Sequence, residues 1–448
     1  MKKLMKSIII AIILSIISLI VMSCSIWTLI GDPGVSYFVG GGSGSSGGSG
    51  ISGNSIVLNQ PITPIIATPV IYNNPNNASC KIENGLYSLG DGTDHFVVGN
   101  DTGSNPNVYI AKYHINANGV GDIVEWLNFL TIDFTLGTNE QLGNLYIDQD
   151  TNNLYVAFSH NNGNNVDVAL AKADKNNLTL VNSFGSGNPI NGVVLLDKGN
   201  SENSGGILVD STNNVAYIAG YNNQGKSIIF KMNTNDGSLV NTFGNNGYAE
   251  IDADSNNNIA EIITDILTDG TNLILVGHQN NGNLILFKVN PLDGSLINNS
   301  LITINPPSGE TFVAAPLDAV ISENKVYLGA NLQPSGKSVL AIFDLSNNTA
   351  NYYTFKDPND NDLKITIRDA NIYSSYLYLS GSVINNSNYY AAYIKVDINN
   401  LNGEYFINYN SNNFNIWGNM PSQDVVMLLG GSSDGNEFIL LILSYNAM

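Results

Sequence analysis

The chain has 448 residues, of which 43% are hydrophobic and only 12% charged, and its formal net charge is −20. That length supports a large buried core, the acidic balance argues against nucleic acid as a partner because phosphates call for a basic face, and two cysteines, Cys24 and Cys80, exclude a disulfide-stapled scaffold. Asn, Gly and Ser supply most of the polarity, which suits β-turns, since Gly and Asn accept positive φ and Asn bonds its own backbone.

Residues 1–30 differ in character from the rest. Lys2, Lys3 and Lys6 precede an apolar run over residues 8–22 that is broken only by Ser15 and Ser18, the layout of a secretory signal. The run ends in Val21-Met22-Ser23-Cys24, which resembles the bacterial lipoprotein signal. The resemblance implies cleavage before Cys24 and a lipid anchor on that residue. Ser25 in place of Asp then implies an outer-membrane or cell-surface destination. Uncleaved, residues 8–30 are also long enough to span a bilayer, and either arrangement leaves the body outside the cytoplasm. The domain reading is therefore 1–24 signal peptide, 25–54 tether and 55–448 folded domain. The tether contains GGGSGSSGGSGISG over residues 40–53, which has no capacity to fold. Pro61, Pro64 and Pro69 then restrict residues 62–72 to an edge strand or irregular structure. Cys80 reads as a lone thiol or small buried hydrophobe.

From about residue 84 the chain repeats itself. Seven short apolar runs end in a small residue, as at 95–99 (HFVVG), 154–158 (LYVAF), 216–220 (AYIAG), 273–277 (LILVG), 326–330 (VYLGA), 377–381 (LYLSG) and 426–430 (VMLLG). Their ends lie 59, 62, 57, 53, 51 and 49 residues apart. A third strand follows each, and in five cases it closes on a lysine (Lys112, Lys172, Lys231, Lys288, Lys395) two residues before a polar residue. A weaker first strand precedes each anchor, and Asp148, Asp210 and Asp269 end three of these as turn residues. Four short antiparallel strands repeated seven times predict an all-β, seven-bladed β-propeller, because radially stacked sheets bury faces that one sheet cannot bury alone. The last repeat stops after its third strand, so the ring is expected to close through the segment at residues 62–72.

The repeats resemble the delta-60 repeats of bacterial β-propellers. The best instance runs from Lys231 and Asn233 into DGSLVNTFGNNG at 236–247, with partial instances at 180–187 (LVNSFGSG) and 293–296 (DGSL). That family carries no general activity, so the resemblance implies the fold alone.

Motifs for chemistry are sparse. No HExxH, nucleophile elbow or phosphate loop occurs, and no cofactor or metal is expected. Asp148/Asp150/Asn152, Asp252/Asp254/Asn256 and Asp357/Asn359/Asn361 place oxygens at alternate positions as calcium loops do. They lack the Gly and Glu of such loops and read as Asx-rich turns. In a propeller the loops between second and third strands share a face with the connections between blades, and loops carry function. His160 and His278, just after second strands, together with Tyr221 and Trp417, are the candidate binding residues. The expected function is a binding or assembly module for a protein or glycan, tethered to a membrane by lipid. The alternative is an extracellular hydrolase or lyase with its site at the channel mouth.

Overall fold

The computed structural model describes residues 54–58, 65–66, 70–72, 94–100, 107–115, 124–134, 139–255, 259–314, 319–385, 388–407, 414–421, 425–432 and 438–444. The signal segment with Cys24, nearly all of the tether, and Cys80 lie outside these residues. Every described element is a β-strand, and the strands form seven sheets that succeed one another along the chain.

The third sheet shows the pattern. Glu202–Asp210, Val215–Asn222, Ser227–Asn233 and Tyr248–Ile251 pair antiparallel in sequence order. The fourth sheet (Glu261–Thr268, Leu273–Gln279, Leu284–Val289, Ile302–Ile304) and the sixth (Ile365–Tyr373, Tyr376–Asn385, Asn388–Asp397, Gly403–Ile407) repeat it. In the second sheet Asn139–Asp148, Asn153–Asn161 and Val166–Asp174 are followed by two short strands, Thr179–Leu180 and Val193–Leu196, which share the edge of the third. In the fifth, Thr311–Ala314 and Val320–Ser322 together flank Lys325–Gln333, ahead of Ser338–Asp344 and Thr349–Lys356. Asp94–Asn100, Val108–Ile115 and Val124–Ile132 form the first sheet, and Phe414–Pro421, Val425–Ser432 and Phe438–Ser444 the body of the seventh.

Local chemistry explains the hairpins. The turn between first and second strands holds positive φ in five successive sheets: at Asn152, Asn214, Gly270 and Ser374 singly, and at Glu323 and Asn324 together in the fifth. Asn reaches that region more cheaply than most side chains. Asp148, Asp210 and Asp269 accept the turn amides, with Oδ1 taking Asp150 N at 3.0 Å, Asn213 N at 3.0 Å and Asn272 N at 2.7 Å. Asp357 does the same for Asn359 and Asn361. The core sits between the faces of consecutive sheets. One cluster joins the second and third through Leu170, Ile218 and Phe230, another the third and fourth through Ile229, Leu275 and Phe287, and a third the fifth and sixth through Leu340, Ile367 and Leu379.

The repeat motif works as a coupling between sheets. Lys112, Lys172 and Lys231 are almost wholly buried. Each ammonium reaches across to a turn carbonyl of the following sheet: Lys112 Nζ to Asn176 O at 3.1 Å, Lys172 Nζ to Thr234 O at 2.7 Å and Lys231 Nζ to Pro291 O at 2.7 Å. Aromatic faces lie beneath, with Lys231 5.2 Å from the Tyr217 centroid and 5.7 Å from that of Phe243. The Asp-Gly-Ser turn then docks on the preceding Phe-Gly, since Gly185 N donates to Asp236 O and Gly244 N to Asp293 O, both at 2.9 Å. Gly237 and Gly294 hold φ of +79° and +74° at this contact, and a Cβ there would fall 2.5 Å from Val194 and 2.8 Å from Ala249. Lys288 instead pairs with Asp269 of its own sheet at 3.1 Å. A charged donor to a carbonyl contributes about 1.5–3 kcal/mol, with a smaller cation–π part. Lys231→Met, which keeps the stem and loses the head, is expected to lower unfolding stability by about 2–3 kcal/mol in urea titration.

The N-terminal segment straps the later sheets. Ile65–Ile66 and Val70–Tyr72 pair antiparallel with Phe438–Ser444 at the edge of the seventh sheet, with Ile66 opposite Leu443 and Val70 opposite Leu440. Asn54–Val57, where the sequence reading set the boundary between tether and folded domain, forms a parallel strand on the edge of the fifth sheet, Ile56 opposite Phe355. Buried Ile56 and Leu58 join the core of the fifth and sixth sheets. Leu58 is wholly buried, so Leu58→Ala is expected to cost about 2–4 kcal/mol, read as a lower urea midpoint at unchanged slope.

Candidate functional site: acidic connections between sheets

In three successive sheets, the second to the fourth, the first strand carries a fully buried glutamate within its first two residues. Glu140, Glu202 and Glu261 are all 0% exposed and face His160, Asn222 and Gln279 across the strand pair. They lie 18, 18 and 16 residues before the anchors Phe158, Gly220 and Gly277. That spacing is the signal the sequence carried. It was missed because the anchors were aligned on apolar residues alone.

The three carboxylates are satisfied differently. His160 Nδ1 donates to Glu140 Oε1 at 3.0 Å, and Phe134 stacks on the imidazole at 4.3 Å between centroids. Glu261 Oε2 accepts Ser227 Oγ–H at 2.7 Å, and its Oε1 accepts Ala253 N at 2.7 Å and Asp254 N at 3.3 Å. Glu202 accepts no hydrogen bond of ordinary geometry on either oxygen. Burial pushes its carboxyl up to about 7, helped by Asp167 and Asp197 and opposed by the nearby amides of Lys198 and Asn200. Asp167 is also raised, by burial first and then by Asp197. Two groups of three carboxylates result, Asp167/Asp197/Glu202 and Asp252/Asp254/Glu261, each with oxygens within 4.8 Å of one another. Asp252 and Asp254 thus serve a junction between sheets, unlike the Asx turns at Asp148 and Asp357.

The sequence-predicted residues are brought to this end of the sheets, with one correction. His160 and His278 lie inside the strands Asn153–Asn161 and Leu273–Gln279, because the second strands run two or three residues past the small anchor before the hairpin turns. His160 is buried against Glu140. His278 and Tyr221 occupy the matching register, one residue earlier, opposite Ile262 and Asn203. Alternation therefore turns them to the other face of their sheets. Burial lowers the His278 pKa and raises that of Tyr221, and His278 Nδ1 has no partner. Trp417 occupies a β-bulge on the first strand of the seventh sheet, and its side chain lies outside the described residues.

That bulge recurs. The first strands shift register at Gly143, Gly205–Gly206, Thr264 and Arg368 as well. Bulges re-aim side chains and bend a strand. Next to two of them an Asn or Asp caps the following amide, Asn144 Oδ1 taking Leu145 N at 2.6 Å and Asp265 Oδ1 taking Ile266 N at 2.7 Å. Asp265 Oδ2 also accepts Ala319 N of the fifth sheet at 2.9 Å. Burial pushes Asp265 up to about 7, against these two amides. A carboxyl raised in the folded state stabilises fully below its unfolded pKa, and that contribution is lost as pH rises toward 7. Asp265→Asn is expected to flatten this fall, measured as urea midpoints between about pH 5 and pH 8.

No family model matches the chain, and no curated protein sequence matches it. Among solved structures, it is similar to Raptor from Chaetomium thermophilum (TM-score 0.47, 12% identity, 84% of this chain and 28% of that one). It is also similar to the β-propeller domain of the Trilobed protease from Pyrococcus furiosus (0.42, 11%, 82% and 97%) and to the WD40 domain of SCAP from fission yeast (0.36, 8%, 85% and 98%). The chain thus spans little more than a quarter of the Raptor chain.

Proposed function

We propose that this chain is an exported, lipid-anchored β-propeller of seven blades that binds a protein or glycan outside the cytoplasm. The ring reading is supported by seven sheets in chain order, by cores shared between consecutive sheets, and by N-terminal strands completing the seventh. The export reading rests on residues 1–24 and the lipoprotein-type cysteine, Cys24.

The observation that carries the binding role is a hairpin on the sixth sheet. Ile384 is 55% exposed and stands opposite Tyr389, with Val383 opposite Tyr390. Arg368, whose Nε has no hydrogen-bond partner, lies within electrostatic range of Tyr389. Tyrosine and arginine are enriched in binding hot spots, and Ile384 adds an exposed apolar side chain beside them. The corresponding hairpins of the second, third and fourth sheets carry Asn161–Asn164, Asn223–Gln224 and Asn280–Asn281, all exposed.

Two measurements test this. Full-length protein made in a bacterium and labelled with an alkyne fatty acid is expected to carry label that Cys24→Ser abolishes; label retained in that variant would remove the anchor. In co-sedimentation with purified cell-envelope polymers, Ile384→Asp/Tyr389→Ala is expected to weaken binding about tenfold or more. Unchanged binding would assign the interface elsewhere.

A further inference from the structure

We propose that Asp167, Asp197 and Glu202 form a divalent-cation site of calcium type at the junction of the second and third sheets. Each offers one carboxylate oxygen, and the three oxygens lie within 4.8 Å of one another. Oxygens bound to one calcium ion at about 2.3–2.6 Å stand no more than about 5 Å apart, so one ion can reach all three. The donor set is oxygen only, which selects a hard cation over zinc or copper.

Glu202 is what points to a ligand. Its side chain is fully buried, and neither of its oxygens accepts a hydrogen bond of ordinary geometry, the amides of Lys198 and Asn200 lying nearby. A buried carboxylate needs a partner, and the charged groups acting on it, Asp167 and Asp197, are acids. Lys198, the cation nearest in sequence, lies over the Tyr248 ring, 5.8 Å from its centroid. The adjacent sheets are internal controls. Their equivalent glutamates take a histidine (Glu140) or a hydroxyl and two amides (Glu261). In the second acidic group Gln279 Nε2 also donates to Asp254 Oδ2 at 2.8 Å, so that group is held by the chain itself.

The other two acids are already oriented. Asn162 and Asn165 donate Nδ2–H to Asp167 at 3.0 and 2.6 Å, and Gly199 N donates to Asp197 Oδ1 at 2.7 Å. Such outer hydrogen bonds fix ligands and leave their remaining lone pairs for the ion. Asp167 belongs to the third strand of one sheet, Asp197 follows its edge strand Val193–Leu196, and Glu202 opens the next sheet. The ion therefore ties two sheets together. With three carboxylates and no dedicated loop, its affinity belongs with that of extracellular modules, a Kd of about 10⁻⁴–10⁻³ M. This site goes beyond the binding reading and does not depend on it.

The test is calorimetric titration of calcium chloride into the full-length chain in detergent. Wild type is expected to take up one calcium per chain that is lost in both Asp197→Asn and Glu202→Gln and kept in Asp252→Asn. Asp197 is exposed, and asparagine there retains the oxygen that accepts Gly199 N, so that variant folds even if the core substitution does not. The proposal is overturned by no uptake at about 10 mM calcium, roughly tenfold above the expected range. It is equally overturned by uptake that survives in both variants, or by uptake lost only in Asp252→Asn.

Discussion

A buried ammonium reaching from one sheet to a turn carbonyl of the next is the contact on which the first half of this protein depends. A sheet of four short strands that buries apolar side chains against the sheets on either side needs something to fix how each neighbour lies on it. Apolar packing alone is non-directional. Lys112, Lys172 and Lys231 add direction, because each ends on one backbone oxygen in the following sheet and lies over an aromatic ring of its own. Burial depresses the pKa of Lys172 and Lys231, opposed by Asp148 and Asp210. Those aspartates also hold the hairpin turns. One short motif thus shapes a turn, balances a charge and sets the angle between sheets.

The same logic accounts for where the sequence was informative. The apolar anchors and Asn-rich turns made the sheets legible, since strand periodicity and positive-φ turn residues are local properties. The lysine and Asp-Gly-Ser motifs were visible as repeats, but their partners lie one repeat further on, and a pattern does not disclose what it touches. Loss of the Phe-Gly part in later repeats coincides with Lys288 and Lys395 turning to acids of their own sheets, Asp269 and Glu404. The glutamates were illegible for a different reason. Glu140, Glu202 and Glu261 read as ordinary surface acids, since a charged residue beside a loop normally faces water. Their spacing from the anchors was in the sequence, but only the fold reveals that they are fully buried. His160 was misplaced in a loop by the same ambiguity at the strand end.

Three solutions to one buried carboxylate also describe how repeat proteins diversify. The backbone position is held by the strand pair, while the partner is free to be imidazole, hydroxyl or amide. A position that keeps its acid and loses its partner is the natural place for a ligand to enter. The −20 net charge therefore has two components: exposed acids that keep the chain soluble, and inward acids whose protonation or pairing is coupled to the junctions between sheets.

The N-terminal strap has a consequence in time. Ile56 pairs with Phe355 and Val70 with Leu440. During synthesis the first-made strands therefore emerge with no partner in existence. At about 5–20 residues per second, the roughly 300 residues separating Ile56 from Phe355 take about 15–60 s to be added. Throughout that interval the early edge is available to other chains, a hazard of any open strand. Pro61, Pro64 and Pro69, which have no backbone donor, interrupt this stretch of sequence and make it a poor template for such pairing. A nascent chain that must wait for its own end is thereby kept from finding a substitute.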